Sequence, residues 1–343
     1  MDRRSFIAGA GAVAAAGAAL AATTPARAKI RTTEPDTLKG SFLDLTTGEG
    51  NMEAIARINA NTDMKSTKYG WAQGIVQGVM PGAIIRDLCG FTMISCAKLL
   101  PYEGGKGYRK VLREVGLYTD LKTGEILEEW TNPYFDEKVK VVPIANDPFN
   151  QLITPFAPRG PSYGGLNKTE EKRDPLQLNW IRRGDKAFLT SYINLFYPSS
   201  LPPSKWPREN GNVMNQVTET FLYSFDWADL QNPNLTSIEY NGTWSRVTPW
   251  LPWMLMGPTP GHCIYNTHMG GEDSLDNMDP KTLAYVAKNF PKYLEAPSEW
   301  IEPSLSSLEW YAREQTPAPV PPGQPVPSVP TPELPAYMQK KPG

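Results

Sequence analysis

Both histidines of the chain, two of its ten tryptophans and one of its three cysteines fall between Trp250 and Gly271, in the run Trp250-Leu251-Pro252-Trp253-Met254-Leu255-Met256-Gly257-Pro258-Thr259-Pro260-Gly261-His262-Cys263-Ile264-Tyr265-Asn266-Thr267-His268-Met269-Gly270-Gly271. A histidine titrates near neutrality and a tyrosine can donate or accept a proton, so His262, Tyr265 and His268 form a candidate acid–base set that needs no cofactor. The plainer alternative is a proline-stiffened loop in which these side chains satisfy buried backbone groups. Zinc is poorly served: the ligand spacing of known sites is tight and paired, whereas here two unpaired histidines have only Glu272 or Asp273 to join them. A cysteine nucleophile would need a base, and on an extended chain His262 points away from Cys263, leaving only His268. No Gly-x-Ser-x-Gly elbow occurs, and Gly104-Gly105-Lys106-Gly107 reads as a turn rather than a phosphate cradle.

A second group of residues is aromatic. Trp180, Tyr192, Phe196, Phe221, Tyr223, Trp227 and Trp244 lie along predicted strands, with Asn194, Glu219 and Arg246 interleaved. They read either as ordinary core or as the wall of a cavity for a planar aromatic ligand. In the second case Tyr192, Tyr223, Asn194, Trp250 and Trp253 contact the ligand, and the guanidinium of Arg246 suits a carboxylate or phenolate.

The elements that must carry these residues are mostly strands. Apolar residues at helical spacing predict a short helix over 51–61, after which the period changes to two. Strands are predicted over 72–80, 90–100, 110–119, 125–131 and 138–144, joined by connections too short for crossover helices. A long Gly- and Pro-marked loop over 146–174 follows. Then come a hairpin, 176–182 and 186–196, turning at Gly184-Asp185, and strands over 213–225 and 236–247. A helix over 279–293 is placed at one mouth. The fold class is therefore mainly β: an antiparallel meander of about 8–10 strands closing into a barrel, which removes exposed edges and leaves an interior for one small ligand.

The two ends have a different character. Met1-Asp2-Arg3-Arg4-Ser5-Phe6-Ile7, an Ala- and Gly-rich stretch and Ala26-Arg27-Ala28 predict a twin-arginine signal peptide over 1–28, handled by the twin-arginine translocase and delivering the protein to the periplasm. From Thr316 onward proline recurs every two or three residues, which predicts a disordered, polyproline-like tail over 316–343. Residues 29–315 are left as a single domain. The formal charge of −2 and the lack of a basic stripe argue against a nucleic-acid partner, and no later run is apolar enough for stable membrane insertion. Cys89 and Cys96, about 23 Å apart on one extended strand and on opposite faces, are beyond disulfide reach. Three buried thiols, with a bridge to Cys263 as the alternative, are expected.

The pattern Trp250-x-x-Trp253-Met254, Met256-Gly257, Pro260-Gly261 and Tyr265, set behind a long β-meander, resembles the family catalogued as domain of unknown function 1838, over roughly residues 35–312. The resemblance implies a γ-formaldehyde lyase acting on lignin-derived phenylcoumarans without a cofactor. Side-chain chemistry, and not the family pattern, then assigns His262 or His268 as base, Tyr265 as acid or phenoxide donor and Arg246 as carboxylate partner. The alternative is a lipocalin-like periplasmic protein that captures an aromatic or other apolar small molecule.

Overall fold

The computed structural model describes residues 35–158, 173–302 and 304–333. The expected signal peptide and cleavage point, the charged stretch 168–172 and the chain end beyond 333 lie outside the described residues. Eleven strands are named: β1 Lys68–Val79, β2 Arg86–Pro101, β3 Tyr108–Thr119, β4 Glu129–Asn132, β5 Glu137–Lys140, β6 Ile144–Ile153, β7 Asn179–Arg183, β8 Lys186–Pro198, β9 Met214–Asp226, β10 Tyr240–Thr248 and β11 His262–Glu272. Nine of them form one antiparallel sheet in the order β6-β3-β2-β1-β11-β10-β9-β8-β7, while β4 and β5 make a separate hairpin.

This order is two meanders rather than one. The chain walks outward from β1 to one edge at β6, crosses to the far edge at β7, and walks back until β11 pairs with β1. The sheet curls into a half-barrel. Its edges approach where the chain leaves β6 and enters β7: Phe156 bridges Pro175, and Leu176 N–H donates to Pro155 O at 2.8 Å.

Helix α1, Gly48–Asn59, also ties the two ends together. Thr47 caps it by accepting from Gly50 N–H at 3.0 Å, a contact of the kind that contributes about 1 kcal/mol. On one side Trp180 of β7 donates its indole N–H to Asn51 at 2.7 Å, and on the other Tyr108 of β3 donates to Glu53 at 2.9 Å. Ile55 and Ile58 are buried in the same core as the inner sheet face. The guanidinium of Arg57, also buried, donates to the carbonyls of Leu230, Asn232 and Leu235 and so needs no anion.

Alternation assigns the two faces. Inward along the central strands point Phe91, Tyr118, Phe221, Trp244 and Tyr265, which pack ring on ring. Beyond the four-residue helix α2, Trp227–Leu230, a longer helix α3, Pro280–Asn289, covers the outward Ile94, Cys96, Val115 and Leu117 through Val286, together with Tyr293 that follows it. The outer face of β8, β9 and β10 leaves Phe188, Tyr192, Phe196, Leu222 and Val247 exposed. Cys89 and Cys96 lie on opposite faces as their spacing requires, and all three cysteines are free and buried.

Several boundaries differ from expectation. The strand expected over 138–144 is two, because the segment ending in Pro143, which has no N–H to give a ladder, separates β5 from β6. β6 takes the start of what reads as a long loop. The largest difference is β11: the His262–Glu272 segment is a central strand and not a loop. Beyond the helix α4, Ser307–Glu314, the proline-rich segment expected to be disordered lies along the body as a strap as far as residue 333. Ala318 N–H donates to Glu209, and Val329 N–H donates to Thr259 Oγ1 at 3.1 Å. Proline's fixed φ lowers the entropy lost when such an extended segment is held.

Candidate active site

Because β11 is a strand, its side chains divide strictly between faces. Cys263, Tyr265, Thr267 and Met269 are buried on the inside, whereas Asn266 and His268 are exposed outside and His262 is half-buried. Burial lowers the pKa of His262. The structure therefore brings neither histidine to Tyr265: both stand on the far side of the sheet. Tyr192 and Asn194 of β8 are likewise exposed on the outer face. Tyr223 is inside, stacked on Phe225 and edge-on to Tyr240, within the packed core. Among the described residues no group of three His, Cys, Asp or Glu side chains could hold a metal.

Four of the expected residues do meet. Arg246, Trp250, Trp253 and Tyr265 line one cavity at the end of the half-barrel, together with Tyr118, Tyr197 and Glu209, under Leu308 and Tyr311 of α4. Arg246 is opposite Tyr265 in the β10–β11 register and opposite Glu219 in the β9–β10 register, so all three project inward side by side. Its guanidinium is 6.0 Å from the Tyr265 ring centre, and Arg246 Nε is 3.8 Å from Glu219 Oε1. That separation is an ion pair without a hydrogen bond, and Nε has no hydrogen-bond partner among the described residues. Glu219 accepts instead from the Trp244 indole N–H at 3.0 Å. Burial alone would lower the Arg246 pKa, but Glu219 and the neighbouring tyrosine oxygens outweigh it and raise it, so the cation is secure.

Tyr118 and Tyr265 share a hydrogen bond between their hydroxyls at 2.9 Å. Both rings are about 1 % exposed or less, and burial pushes both phenols upward. They are neutral donors at ordinary pH, suited to giving a proton to a stronger base or to holding an oxyanion.

The wall is fixed from behind. The Trp253 ring lies 4.9 Å from Tyr118 and 5.4 Å from Trp130 of β4. Asn132, also of β4, donates to the Met254 carbonyl at 2.8 Å, so the β4–β5 hairpin holds the Pro252–Met254 turn in place. Trp250 donates its indole N–H to Thr259 O at 2.9 Å and packs against Gly261, where a Cβ would lie 2.5 Å from its ring. Gly261 also has φ +133, so both its backbone and its neighbour require glycine.

Sequence reasoning missed Tyr118, Tyr197 and Glu209. Tyr118 shares an alternating face with Leu112, Glu114 and Gly116 of β3, a face that carries both charged and apolar residues and so gives no sign of being inside. Glu209 sits in the irregular run Trp206-Pro207-Arg208-Glu209-Asn210, where no periodicity exists to read.

No curated protein matches the chain significantly. A family model described as a protein of unknown function, DUF1838, matches residues 64–315, a span that carries every strand of the sheet and the cavity wall apart from the strap. The chain belongs to the DUF1838 family.

Proposed function

We propose that the protein is a cofactor-independent lyase that opens the ring ether of a phenolic phenylcoumaran and releases its γ-carbon as formaldehyde, leaving a stilbene. The observation that carries this reading is the Tyr118–Tyr265 hydroxyl pair beside the Arg246 cation in an aromatic wall. When the benzylic C–O bond breaks, the departing phenoxide needs a proton and a compensating charge. The tyrosine pair supplies the first and Arg246 the second, in a site where low dielectric strengthens both. The quinone methide so formed accepts the electron pair released when the bond to the γ-carbon breaks, so no external redox partner is required. The signal-like residues Arg3 and Arg4 support a periplasmic setting for this reaction, after export by the twin-arginine translocase.

The cavity encloses about 60 Å3, less than the ~150 Å3 that holds a benzene in an engineered apolar core. A two-ring substrate therefore enters only when α4, whose Leu308 and Tyr311 cover the cavity, moves outward. α4 meets the sheet mainly at the edge strand β6, and Leu305 just before it is tied to Pro148 O at 3.2 Å.

Incubating the purified protein with a phenylcoumaran dimer and following the products by mass spectrometry tests the reading. Loss of the mass of formaldehyde, with stilbene absorbance, is expected. A second reading, stoichiometric capture of an aromatic anion, is favoured by the unpartnered Nε of Arg246, and in that case the dimer is returned unchanged.

A further inference from the structure

The lyase reaction has a second proton transfer that the tyrosine pair and Arg246 do not perform. After ring opening, a base must take the proton of the γ-hydroxyl. A neutral phenol and a guanidinium are poor bases, and the tyrosinate left by ring opening is stabilised by its hydrogen-bonded partner and by Arg246, which lowers its basicity. Both histidines are on the far face of the sheet. Asn210 and Asn215 of the cavity wall do not titrate, which leaves Glu209 as the one carboxyl among the described lining residues.

Its environment is that of a working carboxylate. Glu209 is 2 % exposed. Oε1 accepts from Ala318 N–H of the strap at 2.5 Å, and this bond fixes the carboxyl's orientation. Oε2 is buried and has no hydrogen-bond partner among the described residues. An acceptor left in that state carries an uncompensated desolvation cost, which a hydroxyl on a bound ligand removes. In the adjacent Arg208, Nη2 donates to Glu137, and the buried Nε has no hydrogen-bond partner among the described residues, so no side-chain bond from it reaches Oε2. Burial raises the Glu209 pKa, and the Ala318 N–H and Arg208 oppose this less strongly, which brings the group closer to the range in which a general base works best.

We propose that Glu209 is the catalytic base that removes the γ-hydroxyl proton, an assignment that rests on the lyase reading above. The O–H bond breaks and its proton passes to Oε2. The O–H electron pair becomes the second bond of the formaldehyde C=O, and the bond between the β- and γ-carbons breaks. The pair from that bond forms the stilbene double bond and returns the quinone methide to an aromatic phenolate. The electron pair of the bond between the β- and γ-carbons stays with the conjugated ring system as the γ-carbon leaves, so the step needs no external oxidant or reductant. The substrate's free phenol reacts as its phenolate and is returned as one, and the proton on Glu209 leaves to solvent and replaces the one that the tyrosine pair gave to the departing phenoxide, so the cycle is neutral.

Two variants test the assignment, each assayed for formaldehyde from a phenylcoumaran dimer and for dimer binding by tryptophan quenching. E209Q keeps the shape and the acceptor for Ala318 N–H, and is expected to lower kcat about a hundredfold or more with dimer affinity within a few-fold. E209A is expected to be equally slow and to regain activity on addition of formate, which a merely structural role would not produce. Native-like turnover in E209Q, or an E209A enzyme that folds but is not rescued by formate, overturns the role of Glu209 while the lyase reading stands. If the native protein releases no formaldehyde, it is the lyase reading that falls.

Discussion

The hydroxyl of Tyr118 lies 2.9 Å from that of Tyr265, although three strand-to-strand steps separate β3 from β11 in the sheet. At about 4.8 Å per step, a flat sheet would hold the two backbones roughly 14 Å apart with their side chains side by side. The curl of the half-barrel turns the two side chains toward one another, so this hydrogen bond is a direct product of the sheet's shape.

The two phenols consequently act as a unit. Y118F and Y265F should each lower formaldehyde release about a hundredfold, and Y118F/Y265F should be little worse than either alone, because removing one hydroxyl already breaks the relay. Steady-state kinetics on the three variants checks this. Multiplying effects in the double variant would mean that the tyrosines contribute independently.

Arg246 and Glu219 are both buried, and removing one strands the other. R246M should cost about 3–5 kcal/mol of stability, measured from urea unfolding, because it leaves a carboxylate without its cation. R246M/E219Q should recover much of that stability, while binding of an aromatic carboxylate stays lost. If binding returns along with stability, Arg246 does not contact the ligand.

H262A/H268A should keep formaldehyde release within a few-fold of native, since both side chains stand on the outer face, away from the phenols. A loss of tenfold or more would show that the outer face takes part in turnover, against the geometry described here.

The strands were legible because period-two alternation survives in the sequence wherever a strand has one apolar face, as in the run from Lys186 to Pro198, but the cavity was legible only in part, since Tyr192 and Asn194 of that same run face outward. β11 carries that alternation as cleanly, with Cys263, Tyr265, Thr267 and Met269 inside. The prolines and glycines that flank it suggest a loop, and this hid the consequence that mattered most: His262 and Tyr265, an odd number of residues apart, cannot share a face. Arg246 and Tyr265 were each identifiable as candidates, but their adjacency depends on a register that only the folded sheet supplies. The Tyr118–Tyr265 contact depends on curvature, to which residue spacing within one strand is blind. Glu209 depends on an irregular segment and on the strap, and neither has a period.

A fourth expectation concerns Lys110, which is fully buried on the inner face of β3 with one long hydrogen bond, 3.4 Å, to Gln151 Oε1. Burial lowers its pKa from the ordinary 10.5 to about 7, with nearby Glu114 opposing the shift. A lysine depressed in the folded state binds fewer protons there than in the unfolded chain between those two values, so stability rises with pH across that window. Below about pH 7 both states are protonated and the cost of burying the charge is fully present; above about pH 10.5 it is gone. K110M removes the group, and its stability advantage over native protein should therefore be largest near pH 6 and shrink steadily toward pH 10, each value read from urea midpoints at about those pH values. Asn146 still donates to Glu114 in that variant, so the carboxylate is not left bare. An advantage that stays constant from pH 6 to pH 10 would mean that Lys110 keeps its ordinary pKa, with Glu114 holding it charged in the fold.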